Sequence, residues 1–429
     1  MLSITNVVRG LLARSATPQR PRREPRRLRL ECLEERTLMC NPGELDLTFD
    51  ADGSLTTNMG GAADSANGVA IQPDGKLVVA GATAGSSSQS TGDFAVARYN
   101  SNGTLDASFG AGGKVSIDFS GRHDGARGVA VQPDGKIVVV GWATPNGNRA
   151  RGKDLGIVRL NTNGTVDKSF GKVALDFGGV AEQANAVAVQ ADGKIVVAGI
   201  GGGNCVGGVC GGFALARFNS GGSLDSSFDG DGMVFTDLLP GTTEEGAESM
   251  ALQSDGKIIV GGLGGRILRY NSNGSLDGSF GTAGIAAVNG AVRSIAIQPD
   301  SRIVTAGNGR FLTHRFNTDG TLDGTFGTSG EVLTQVGVGS FGFSVALQSD
   351  GKIVVGGRSD AAGSGNTTFT LIRYNNDGSL DTSFDTDGIV TTAFASPSGI
   401  NAIAIQPSDG HIVAAGFADG DFALARYCP

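Results

Sequence analysis

One tryptophan, four tyrosines, three histidines and five cysteines are all that 429 residues contain of the rarer side chains. No uninterrupted apolar run approaches the ~20 residues that span a bilayer, so a membrane span is excluded. Lysine is absent from residues 1–40, which hold nine Arg and four Glu and carry a net charge of +5. The other 389 residues therefore carry −13 of the total of −8. An acidic body argues against nucleic acid as a partner, because phosphate binding needs clustered Lys and Arg. The histidines give catalysis little to work with. His123, His314 and His411 fall at unrelated points, and none has a nucleophile or metal-ligand partner at recognisable spacing.

Glycine is what the chain has in abundance, at 71 residues, and with it comes repetition. Three markers recur in fixed order, seven times each, with successive copies 45 to 63 residues apart. The first is Leu/Val-Asp-x-Ser/Thr-Phe, ending at Phe49, Phe109, Phe170, Phe228, Phe280, Phe326 and Phe384. The second is Gln-x-Asp-Gly-Lys and its variants, beginning at Gln72, Gln132, Gln190, Gln253, Gln298, Gln348 and Gln406. The third is an Arg closing an apolar run, at Arg98, Arg159, Arg217, Arg269, Arg315, Arg373 and Arg426. Periods of this length belong to solenoids, propellers or arrays.

Every local signal inside a unit is β. In "GVAVQPDGKIVVVGWA", two apolar runs flank Pro133-Asp134-Gly135, where Pro presets φ and Gly accepts a positive one, so a hairpin is predicted. "KVSIDF" (114–119) precedes it and "LGIVRL" (155–160) follows it, giving four antiparallel strands a, b, c and d per unit. Runs such as "KIVVAG" are apolar or small on both faces, so both faces must be covered. The first and last copies share that pattern, where an open solenoid would need polar caps. An all-β, seven-bladed β-propeller of four-stranded antiparallel blades over residues 40–429 meets these conditions. With three markers in order, residues 41–429 resemble the delta-60 repeat family, a resemblance that implies a propeller and no assigned activity.

Residues 1–39 read as a basic leader or sorting segment. "RPRREPRRLRL" also suits a nucleic-acid arm, but it precedes any folded pattern. Arg9 and Arg14 break the apolar stretch of about 7–15 residues that an ordinary signal peptide needs. "RRLRLECLEERTLM" is similar to the L-E-x-L-E-x-R-x-L leader of large exported bacterial proteins, which implies export to the cell surface or beyond.

The marker Arg lies eight residues before the next Asp in six units, while Arg426 has no Asp after it and Asp46 no Arg before it. A closed ring makes Arg426 and Asp46 the seventh pair. Counting the same register, Cys40 and Cys428 share one slot, so either a disulfide staples the ring or two unrelated thiols end it. Cys205 and Cys210, in "CVGGVC", close a small loop or contribute to a metal site. The ring closes within one chain, and a monomer is expected.

Topology puts the b–c and d–a turns on one uniform rim and the a–b and c–d loops on a second, variable one, where binding belongs. Its leading candidate is Trp142 with Arg149, Arg151 and Lys153, an aromatic beside cations that suits an anionic polymer or the carboxylates of a protein partner. Packing of Trp142 against a neighbour is the competing use. "NTDGTLD" and "NNDGSLD" place Asp319, Asp323, Asp377 and Asp381 at spacings that suit calcium, although Asn-Gly turns explain the same residues. No other cofactor is expected. A non-catalytic binding or adhesion scaffold is the leading function, and an enzyme acting on an extracellular polymer at the central channel is the alternative.

Overall fold

The computed structural model describes residues 40–84, 92–119, 123–144, 152–179, 182–202, 211–238, 245–360, 363–394 and 397–429. Residues 40–429 form one compact unit of seven four-stranded antiparallel sheets. Their inner strands pack side by side in a closed circuit, each against the next and the seventh against the first. This is the seven-bladed propeller.

The phase of the repeat differs from the sequence reading. Strand a pairs with strand d of the preceding unit, as Phe94 with Ile117 and Leu155 with Leu175. Each blade thus runs b-c-d-a from the axis outward, the a strand arriving from the next sequence unit. The d-to-a segment, residues 100–113 in blade 1, folds back so that a pairs on the edge of the same sheet, whereas the a-to-b segment crosses to the next blade. Blade 1 is Ser65–Ile71, Leu77–Ala82, Phe94–Tyr99 and Lys114–Ile117. Blade 7 takes Ser398–Ile405, Ile412–Ala418 and Asp421–Tyr427 from the C-terminal end and Ser54–Thr57 from the N-terminal end.

That shared blade closes the ring. Ser54 pairs with Ala425 and Thr57 with Phe422. Arg426 donates through Nε to Asp46 Oδ2 at 2.7 Å, and Cys428 N–H reaches the Glu44 carbonyl at 2.9 Å. Cys40 and Cys428 form a disulfide with Cα atoms 5.7 Å apart.

The core lies between blades, in seven apolar clusters. One joins Val78, Phe94 and Phe109 of the first unit boundary to Ile137, Val139 and Val158 of the next blade. The three sequence markers meet on the uniform rim. In each blade the Arg Nε lies 2.7 to 2.8 Å from the Asp Oδ2, and the Arg sits 4.4 to 5.0 Å above the marker Phe ring. The basic side chain of the hairpin turn reaches the same carboxylate, as Lys194 Nζ does Asp225 at 3.0 Å and His411 Nε2 does Asp46 at 3.3 Å. Arg Nη1 then donates to a carbonyl of the next blade, for example Arg217 to Ser272 and Arg426 to Ser101. Arg373 is different: the corresponding turn is the gap between Cys428 and Cys40, and its Nη1 goes to Gln348 Oε1 at 3.3 Å instead.

These carboxylates predict the acid response. Burial pushes the Asp225 carboxyl up, but hydrogen bonds from Lys194 and Ser227 and the Arg217 charge outweigh it and hold it well below the usual range. For Asp106 and Asp167 the hydroxyls of Ser108 and Ser169 are the largest influence, and both are held low as well. Asp46, Asp277, Asp323 and Asp381 shift the same way. A depressed folded pKa means stability that is present above the unfolded value of about 4 and is lost as pH falls below it. On the variable rim the sign reverses. Burial raises Asp64, Asp93, Asp124 and Glu182, whose contribution is lost as pH rises through their folded values. Urea midpoints measured from pH 2 to 8 are expected to peak in mild acid and to fall steeply below about pH 4. A flat profile from pH 4 to 2 would contradict the carboxylate account.

Candidate functional site at the channel mouth

Each inner strand carries a β-bulge at the same register, between Ala66 and Gly68 in blade 1 and between Ile400 and Ala402 in blade 7. A bulge inserts one extra residue and re-aims its side chain. Glycine in the second strand makes room for it. A Cβ on Gly141 would lie 1.9 Å from the Gly125 carbonyl oxygen, and the six equivalent glycines show the same clash at 1.7 to 2.0 Å. Those seven glycines are required by the bulge rather than by a turn.

The bulged residues are Asn67, Arg127, Asn185, Glu248, Arg293, Phe343 and Asn401, and together they line a cavity of about 200 Å³ on the axis. In blades 1 to 5 the bulged residue is the second or third of its inner strand, on the side of the variable rim, and in blades 6 and 7 it lies at mid-strand. Two guanidiniums and one carboxylate give it a net charge of +1 in an acidic molecule. Arg293 Nη1 lies 2.8 Å from Glu248 Oε2, while its buried Nε has no hydrogen-bond partner among the described residues. Arg127 is the exposed member of the ring and makes no hydrogen bond or ion pair among the described residues. Protein surrounds the channel on all sides, so desolvation lowers the Arg127 pKa, with Glu248 opposing and Arg293 reinforcing the shift.

Trp142 links this ring to the rim. It follows Gly141 in the second strand of blade 2, and its ring packs over Gly125, which has no Cβ to displace it. Arg127 Cζ lies 5.3 Å and Lys153 Nζ 4.8 Å from the Trp142 ring centroid. Burial, then repulsion from Arg127, lowers the Lys153 pKa. The half-buried tryptophan therefore packs within its own blade and also carries two cations toward the channel. In blade 6 the equivalent position is Arg358, set over Phe341 and Phe343 at 5.6 and 5.3 Å.

Of the residues singled out in the sequence, Trp142 and Lys153 are brought together, and Arg149, Arg151, Cys205 and Cys210 lie outside the described residues. Arg127, not singled out there, supplies the second cation at Trp142. Asp323 and Asp381 each serve a marker Arg, at 2.8 and 2.7 Å. Asp319 and Asp377 each accept from the hydroxyl two residues on, Thr321 and Ser379, at 2.7 and 2.6 Å. All four carboxylates thus have local uses in the turns. The histidines are not assembled: His314 pairs with Glu331 at 3.2 Å in blade 5, His411 sits between Asp46 and Asp409 on the uniform rim, and His123 precedes the blade 2 inner strand. Among the described residues, no helix is long and apolar enough to cross a membrane.

The sequence matches the family model described as "Domain of unknown function (DUF5122) beta-propeller" at residues 72–109, 132–170, 190–228, 253–280, 298–326 and 348–384. No curated protein sequence matches it. The fold is similar to that of a streptogramin B lyase, with a TM-score of 0.51, 13% identity, and 86% of this chain and 96% of that one covered. It is similar also to a catalytically inactive virginiamycin B lyase from Staphylococcus aureus with quinupristin, with a TM-score of 0.51, 11% identity, and coverage of 88% and 99%. At such identities the likeness is one of fold. Seven blades, and a family match in six of the seven units, make the chain a β-propeller repeat protein.

Proposed function

We propose that the protein is a non-catalytic binding module, working as an exported monomer, that takes an anionic polysaccharide or an acidic segment of a protein partner at the channel mouth on its variable rim. The observation that carries this reading is Arg127: a guanidinium open to the axial cavity, without a hydrogen-bonding partner among the described residues, and held beside Trp142 and Lys153. A guanidinium over an aromatic face is attracted to the ring, which positions it while leaving its N–H donors available to a ligand. Support for export comes from the leader-like residues 26–39 and from the Cys40–Cys428 disulfide, which suits an oxidising compartment. Residues 1–39 then act before the propeller does, as a sorting signal.

Affinity gel electrophoresis over a panel of neutral and acidic polysaccharides tests the reading. An acidic polymer is expected to retard the wild type, and Trp142→Ala to abolish the retardation. If no polymer retards the wild type, polysaccharide is the wrong ligand. If the polymer shortens on incubation and shows new ends, the enzyme alternative takes over.

A further inference from the structure

We propose that the axial cavity is a receptor for a single carboxylate, held between Arg127 and Arg293; this rests on the binding reading above and specifies its ligand. The seven bulge positions divide into two kinds. At three of them an Asn bonds the next blade: Asn67 Nδ2 to the Ala126 carbonyl at 2.8 Å, Asn185 to Ala247 at 2.8 Å, and Asn401 to Ala66 at 2.9 Å. These amides staple neighbouring blades beside the axis. Arg127, Glu248, Arg293 and Phe343 occupy equivalent positions without making that bond. In blades 4, 5 and 6 the residue after the bulge bonds the next blade instead, Ser249, Ser294 and Ser344 accepting from the backbone N–H groups of Ile295, Val345 and Ile403 at 3.0, 3.0 and 3.1 Å. Among the described residues only the Arg127 bulge, followed by Gly128, has neither kind of side-chain bond to the next blade, and a free charge stands there.

Charge counting identifies the ligand. Glu248 answers one guanidinium at 2.8 Å, which leaves the cavity with one positive charge, on Arg127, and one buried spare donor, the Nε of Arg293. A carboxylate neutralises that charge and accepts from both groups, in the forked geometry guanidinium favours. A phosphate dianion would bring a second negative charge against Glu248. Opposite Arg127 in blade order stand Arg293 and Phe343, and Phe343 is stacked on the exposed Phe341 with centroids 6.4 Å apart. The carboxylate therefore enters attached to a body with an apolar or ring face, and about 200 Å³ accommodates one sugar-sized residue, small against ordinary ligand pockets. A uronate at the end of an acidic polymer has this chemistry.

Isothermal titration of the full chain with glucuronate, glucose and inorganic phosphate decides the matter. Glucuronate is expected to bind once per chain, glucose not to bind, and phosphate to bind more weakly than glucuronate. Arg127→Gln is expected to weaken glucuronate about tenfold or more, as loss of a charge-assisted hydrogen bond implies. Lys168→Gln, an exposed charge on the uniform rim, should leave binding unchanged. Glu248→Gln should tighten binding, and should help phosphate more than glucuronate, which keeps the test decisive even if the Arg127 variant folds poorly. Equal affinities in wild type and Arg127→Gln, or phosphate binding tighter than glucuronate, would overturn the proposal. If an acidic polymer still retards the wild type while glucuronate fails to bind, the carboxylate receptor falls and the rim-binding reading stands; if neither binds, both fall.

Discussion

Replacing Cys428 with Ser is expected to lower the unfolding free energy by about 4 kcal/mol, read as a fall in urea midpoint with a steeper slope, since the released unfolded chain is less compact. The bridge spans 388 residues of sequence, so it restrains nearly the whole propeller when unfolded. Loop-closure entropy grows only logarithmically with length, which keeps the figure near the top of the range seen for disulfides rather than beyond it. The folded seam should survive the substitution. Pairing of Ser54–Thr57 with Asp421–Tyr427, the Arg426–Asp46 pair and the 2.7 Å contact between the Thr392 and Tyr427 hydroxyls all remain. Hydrogen exchange should therefore show the loss first at residues 54–57, with the middle blades still protected. A reduced wild type whose midpoint equals that of the oxidised protein would remove the disulfide from the account of stability.

Arg217→Ala is expected to cost about 3–5 kcal/mol, the penalty for leaving one member of a buried pair behind. Asp225 is only 6% exposed, and after the change Lys194 at 3.0 Å is its remaining cation. The substitution also removes the bond to the Ser272 carbonyl in the next blade and the contact with the Phe228 ring at 4.6 Å. Arg373→Ala gives the internal comparison. Its pair with Asp381 and its Phe384 contact match those of Arg217, but its Nη1 bonds Gln348 within its own blade. Both variants lose one Nη1 hydrogen bond, but that of Arg373 is long, at 3.3 Å, and stays within its blade, so the Arg373 variant should lose less, by up to about 1 kcal/mol. Equal losses, measured by urea unfolding of both variants, would show that the bond to the next blade contributes no more than the one to Gln348.

The markers that made the propeller legible in the sequence are the residues of this ion cluster, and they repeat because every blade needs the same one. The eight-residue interval from Arg to Asp exposed the missing pair at the ends, and so located the seam at Arg426 and Asp46. Blade phase was not legible. A period says how often a unit recurs, but not which strand pairs with which, and Lys114–Ile117 looks the same whether it opens one blade or completes another. The axial ring escaped for a different reason. Alternation assigns faces by a period of two, and a bulge adds a residue that shifts the count, so Asn67 or Arg127 cannot be aimed from the pattern of its neighbours. A signal was present: the residue five before each marker Gln is Asn, Arg, Asn, Glu, Arg, Phe or Asn, set in strands otherwise apolar or small. Its variety set it apart from markers chosen for their sameness.

The glycine opposite each bulge has a consequence for how such a molecule changes. Because Gly141 and its six counterparts absorb the extra residue, the side chain on the axis touches neither the interblade core nor the ion cluster on the far rim. Positions 127, 248, 293 and 343 can thus be rewritten, each altering the chemistry of one shared chamber, while Asn67, Asn185 and Asn401 also hold neighbouring blades together and belong to the frame. Selectivity in this architecture is composed at four letters of a seven-letter word, and a new word needs no new propeller.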